Sequence, residues 1–229
     1  MATLSHQTDF GFERIEFGNH GGNYRGVLRD GQYSLRLEPV SCRMTQKSSL
    51  PVDLTETMLS SETVYQGRLL QVQRDRVRLP DGGESTREYI VHPGAIVILP
   101  VFENGDILLE RQHRYPLHRD FIEFPAGKID PGEEDLSCGK RELREETGYE
   151  AHEWKHITTL YPCIGYADER LEFYRAQGLI QVGHARDADE FLEILRVPFG
   201  EAMDWLKSGK ICETKTVVGL FWLEKLLTG

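Results

Sequence analysis

The chain has few cysteines and no long apolar run. Its four cysteines among 229 residues, Cys42, Cys138, Cys163 and Cys212, stand apart without CxxC or His-Cys spacing. That argues against a thiolate zinc site and against a disulfide framework of the kind that staples small secreted domains. The longest apolar stretch, Ala95 to Phe102, is interrupted by Pro100 and falls well short of the roughly 20 residues a helix needs to cross a bilayer. No basic segment followed by an apolar one is found near Met1, so no signal peptide is expected and the expected location is cytoplasmic. Positive charge is also scarce. With 27 Lys and Arg against 37 Asp and Glu the net charge is −10, which argues against general nucleic-acid binding. A small phosphorylated molecule met by a few local arginines remains compatible with it. What is present is an ordinary globular composition, 39% hydrophobic and 28% charged, in a chain long enough for one domain with an appendage.

Residues 1–57 read differently from the rest. Gly18, Gly21, Gly22, Gly26 and Gly31 fall among polar residues, and only Tyr33, Leu35 and Leu37 alternate as a strand would. This N-terminal extension receives no role, and Met44 and Met58 stand as alternative starts. Between 58 and 93, the alternation over Leu69–Leu79, the turn ProAspGlyGly at 80–83 and the arm Ser85–His92 predict a small antiparallel β region. From 94 to 229, strands are predicted at Ala95–Val101, Ile107–Arg111, Phe121–Pro125, Trp154–Tyr161, Leu171–Gln177 and Phe191–Val197. Helices are predicted before Gly148, at Phe199–Lys207 and at Thr216–Leu227, the last with Val217, Leu220, Phe221, Leu223 and Leu227 spaced to bury a face. The pattern is α+β: a mixed central sheet between helical layers.

The segment GKIDPGEEDLSCGKRELREETGY, Gly127–Tyr149, carries the chemistry. Pro131 and Gly132 mark the start of its helix and Gly148 its end, which places Glu142, Glu145 and Glu146 in the last turn. Like charges at i, i+3 and i+4 repel by a few tenths of a kcal/mol per pair, and the carbonyl end of the helix is itself negative. A hard cation with oxygen ligands, such as Mg²⁺, resolves the conflict.

The spacing also resembles a known family. Gly127, five residues, Glu133, seven residues, Arg141-Glu142-Leu143, one residue, Glu145-Glu146, one residue, Gly148 is similar to the signature of the Nudix hydrolases, with Tyr149 in place of the usual aliphatic residue. The resemblance implies an α/β/α sandwich. It also implies that Glu142, Glu145 and Glu146 bind Mg²⁺ (or Mn²⁺) with the Ala126 carbonyl, and that Gly127, Glu133, Arg141 and Gly148 hold the loop to the helix. The implied reaction directs water at a phosphorus of a nucleoside diphosphate linked to another group; Glu169 is the candidate base, with Glu145 as a second catalytic carboxylate.

Elements outside the motif resemble the ADP-ribose pyrophosphatase branch: GluTyrIleValHisProGly at 88–94, ArgGlnHisArgTyr at 111–115, GluPheProAlaGly at 123–127, GlyTyrAlaAspGlu at 165–169 and LysIleCysGluThrLysThr at 210–216. One departure is Ile164, where many of those enzymes carry proline before the glycine. By this resemblance Arg111, Glu123 and Arg114 contact substrate, and Arg87 reaches the site of a partner subunit in a homodimer formed through region 58–93. Tyr65 and Tyr89 are candidates either for stacking on adenine or for the core, and His92, His113 and His118 receive no role. The expected reaction is Mg²⁺-dependent cleavage of ADP-ribose to AMP and ribose 5-phosphate. The alternatives are another nucleoside diphosphate sugar, GDP-mannose or an ADP-hexose, and a non-catalytic sensor of such molecules.

Overall fold

Ala95 to Pro100 is apolar at every position, the pattern of a strand covered on both faces, and all six residues are buried. The surrounding architecture follows from that strand. A computed structural model describes residues 25–29, 32–36, 53–183 and 191–228. Two strands, β1 (Arg25–Arg29) and β2 (Gln32–Arg36), form an antiparallel hairpin by themselves, with Tyr33 and Leu35 in the second arm. Met44, one of the alternative starts, lies outside the described residues.

The larger unit, residues 53–229, runs through β3 (Thr57–Gln66), β4 (Gln71–Arg78), β5 (Glu84–Val91), β6 (Ala95–Pro100), β7 (Asp106–Arg114), β8 (Arg119–Glu123) and β9 (Ala126–Lys128). Helix α1 (Asp135–Thr147) follows, then β10 (Tyr149–Leu160), β11 (Leu171–Gln181), β12 (Leu192–Pro198), α2 (Phe199–Lys207) and α3 (Thr214–Thr228). Strands β3, β4 and β5 make a three-stranded antiparallel sheet. The central sheet has the order β10-β11-β6-β9; β11 and β6 are parallel and the other neighbours antiparallel, so it is mixed. A third sheet, β12-β7-β8, is antiparallel.

Alternation along β6 divides the core in two. Ile96 and Ile98 pack with Cys138, Leu143 and Ala176 beneath α1. Val97, Leu99 and Val101 pack with Leu109, Phe124, Phe173, Met203 and Leu220, toward α2 and α3. A sheet between helical layers is thus the fold that the alternation of strands and helices predicts.

Three readings need correction. In α3, Leu220 and Leu223 are fully buried, but Phe221 is 53% and Leu227 43% exposed; one residue on from Leu220, Phe221 is turned about 100° away from it and leaves the stripe that the core covers. Strand β3 was not evident in the sequence, because all ten of its residues are exposed and no buried face imposes a period. Tyr65 is 56% exposed, so it is not a core aromatic; Tyr89 is half-buried and donates to Asp75 Oδ2 at 3.2 Å.

Gly148 closes α1 in the left-handed conformation (φ 74°), its N–H bonding Arg144 O, and β10 begins at the next residue. Its carbonyl accepts the N–H groups of Val182 and Gly183 at 2.9 and 3.2 Å.

Candidate active site

Helix α1 is anchored by Cys138 and Leu143, both fully buried, and this directs its polar side toward the loop that precedes it. Arg141 occupies the centre. Its guanidinium bonds both Glu133 oxygens at 3.0 and 2.9 Å, Glu142 at 2.8 Å and Glu145 at 3.0 Å. The positive charge that the crowded glutamates require is therefore supplied in part by the chain itself. The bond from Arg141 holds the Glu133 carboxyl down at about 2, against an ordinary 4.5, and Glu133 in turn raises Arg141. Burial pushes the Cys138 thiol up to about 12, which makes it an inert part of the core.

The glycines do different work. Gly132 adopts φ 82°, a turn conformation that favours glycine. At Gly127 the reason is close approach: a Cβ there would stand 1.8 Å from Glu142 Cδ. Gly127 pairs with Ile96 across β9 and β6, so the core strand fixes the floor on which the Glu142 carboxylate lies. Beside it, the Ala126 N–H donates to Glu146 Oε2 at 3.2 Å, and Glu146 is only 6% exposed. Ala126, Glu142, Glu145 and Glu146 are thus gathered at one end of α1. An open cavity of about 590 Å³ borders the helix, and Arg141 and Glu145 line it with Lys140, Arg144 and Trp154.

Among the described residues, no group of three or more His, Cys, Asp or Glu side chains is already arranged to hold a metal. The donor chemistry fits a hard divalent cation, since it consists of carboxylate oxygens. In this structure one oxygen of each of Glu142 and Glu145 accepts a bond from Arg141.

Glu169 lies on the loop between β10 and β11, whose tip is solvent-exposed, with Ile164 84% exposed. The base of the loop is stitched to β5 and β6: Ile90 N–H donates to Tyr166 O, Asp168 N–H to Ile90 O, and Ala95 N–H to Arg170 O. Arg170 bonds Asp135 at the start of α1 at 3.1 and 3.0 Å.

The proposed substrate residues are placed differently from one another. Glu123, 1% exposed, receives a two-pronged bond from Arg114 at 2.8 and 2.7 Å and another from Lys215. Burial alone would raise its carboxyl, but Arg114 and Lys215 outweigh it and the net shift is downward. Arg111 turns instead to Glu193 at 2.6 Å and Asp120 at 3.3 Å. Arg87 is paired with Glu56. Sequence reasoning gave no place to Lys215, Thr216 or Glu213. Thr216 Oγ1 accepts the Phe124 N–H and donates to Glu213, so the late stretch 210–216 is bonded to the EFPAG stretch; the resemblance of both stretches to one branch was the available signal.

The site is a carboxylate-bearing helix set against a glycine floor on a mixed sheet. Comparison with known proteins gives the particular family. A family profile described as the NUDIX domain matches residues 91–213, and one described as the nucleoside diphosphate sugar hydrolase N-terminal domain matches residues 56–90. The chain is 36% identical over 173 residues to an ADP-ribose pyrophosphatase of Bacillus subtilis (strain 168), covering 75% of this chain and 94% of that protein. It is 34% identical over 171 residues to the methanol dehydrogenase activator of Bacillus methanolicus, covering 74% and 92%. The crystal structure of an ADP compounds hydrolase superposes with a TM-score of 0.69 at 27% identity, covering 77% of this chain and 97% of that one. The chain belongs to the Nudix family, and it is an enzyme of the pyrophosphatase type.

Proposed function

We propose that the enzyme hydrolyses the diphosphate bond of ADP-ribose, giving AMP and ribose 5-phosphate, in the cytoplasm and with Mg²⁺ or Mn²⁺. The observation that carries this reading is the gathering of Glu142, Glu145, Glu146 and Ala126 over Gly127. These residues would hold the metal. When bound, it neutralises the diphosphate as a Lewis acid and lowers the pKa of a bound water. Glu169 takes the proton of the attacking water as the phosphorus–oxygen anhydride bond breaks. Arg111 and Arg87, half-exposed on flexible stems, can exchange their present carboxylates for substrate phosphate. Arg114 meets substrate with the N–H groups that Glu123 leaves free, and buried Glu123 orients it.

We divide the chain at 57/58 and 93/94; the separate family matches to residues 56–90 and 91–213 support that division. A homodimer through the small sheet is supported by the exposed apolar residues Leu54, Met58, Val64, Tyr65 and Leu69. A second reading, hydrolysis of another nucleoside diphosphate sugar such as GDP-mannose or an ADP-hexose, is favoured by the exposed Ile164 in a loop where the branch carries proline. Incubation with Mg²⁺ and a panel of nucleoside diphosphate sugars tests both: AMP release fastest from ADP-ribose is expected, and faster cleavage of a hexose derivative replaces the first reading with the second. Sedimentation gives the assembly, with twice the chain mass expected.

A further inference from the structure

His92 lies on the short link between β5 and β6, and its side chain is only 19% exposed. Its backbone N–H donates to Asp168 Oδ1 at 2.7 Å. Its Nδ1 lies 3.1 Å from the backbone nitrogen of Gly94, a group that can only donate. Nδ1 therefore carries the lone pair, and in the neutral ring the proton sits on Nε2. Nε2 faces Glu169 Oε1 at 3.8 Å. That is longer than a closed hydrogen bond, and catalytic contacts of this kind commonly tighten once substrate is bound.

We propose that His92 is a positioning residue for Glu169: the Gly94 N–H selects the tautomer, and the Nε2–H holds the carboxylate in one orientation. The inference rests on the reading that Glu169 acts in the hydrolysis. The chain on either side of Glu169 is already fixed, by the Asp168 N–H to Ile90 O, the Asp168 carboxylate to the His92 N–H, and the Arg170 carbonyl to the Ala95 N–H. The freedom left to Glu169 is that of its side chain, and His92 is the ring that faces it. The same histidine, one residue beyond β5, thus sets the end of the small sheet beside the proposed proton-transfer group.

The test is a double-mutant cycle in the full chain, with Mg²⁺ and the nucleoside diphosphate sugar cleaved fastest in the panel. His92→Asn keeps an acceptor for the Gly94 N–H and loses the donor toward Glu169. His92→Gln offers an amide donor near the position of Nε2. We expect H92N to lower kcat about tenfold with KM within about twofold, H92Q to recover at least about threefold of that loss, and H92N to cost under about twofold in an E169Q background. Equal cost of H92N in both backgrounds overturns the positioning role, as does an H92Q that is no better than H92N while both keep the wild-type Tm. If H92N does not fold, the same comparison is made with H92Q, whose loss must vanish in the E169Q background. An E169Q enzyme that loses less than about threefold overturns the role of Glu169 itself and the inference with it; that outcome differs from the first because the single variant at 169 then has no large effect.

Discussion

The two segments that bring carboxylates toward the site are held by different means. Between Gly127 and Gly148 the ties run from side chain to side chain and converge on Arg141, which bonds Glu133, Glu142 and Glu145 together. Between Tyr161 and Arg170 the ties are mostly backbone to backbone, from Tyr166, Asp168 and Arg170 to Ile90 and Ala95. A hold made of charges depends on which residues are present and at what spacing. A hold made of peptide groups depends on the path of the chain and accepts almost any side chain along it.

The strongest way to probe the first hold is Glu146→Gln. It removes a charge from the proposed metal cradle, and kcat is expected to fall about a hundredfold, since a metal supplies several kcal/mol of charge stabilisation. A loss below about tenfold in steady-state assays would exclude Glu146 as a ligand. Gly127→Ala comes next. The new Cβ collides with Glu142 and must displace it, which is expected to lower kcat about tenfold and stability by about 1–3 kcal/mol; unchanged thermal unfolding would show that the floor gives way easily. Asp168→Ala attacks the side-chain tie within the second hold. Losing the acceptor of the His92 N–H on an exposed loop is expected to cost about 1 kcal/mol and a few-fold in kcat, read by denaturant melts and kinetics.

The smallest effect separates the two holds by pH. The Glu133 carboxyl is lower in the folded chain, at about 2, than its ordinary 4.5. Its contribution is therefore fully present above about pH 4.5 and is lost as pH falls toward 2. Glu133→Gln is expected to flatten the dependence of Tm on pH within that window, and D168A to leave it unchanged. A D168A protein with the flattened profile would mean that the two holds are one.

This difference also explains what was legible in the sequence. The charge-based hold was read almost in full: the three glutamates were named from their place on the helix, Glu133 and Arg141 from the resemblance to the Nudix signature, and the helix ends at Gly148 as predicted. The cation was only half understood, because Arg141 could not be seen to bond two of the glutamates until the side chains were placed. The backbone hold was not legible. Nothing in Ile90 or His92 marks them as neighbours of Asp168, 76 residues on from His92, and His92 receives no role from the sequence. Strand β3 escaped for a related reason: without a buried face no alternation is required of it.

Gly148 bears on how the chain tolerates change in length. Its N–H ends the helix, its carbonyl receives the two residues that follow β11, and the strand β10 starts without any connecting residue. An inserted residue at that point would rotate the side chains of β10 to the opposite face and pull the glutamates out of phase with Ala126. The tip of the β10–β11 loop, with Ile164 in solvent, has no such constraint. Length variation among natural relatives, and any site chosen for inserting a tag or a second domain, should therefore concentrate near 164 and avoid 148, so that the helix and its following strand are inherited as one indivisible piece.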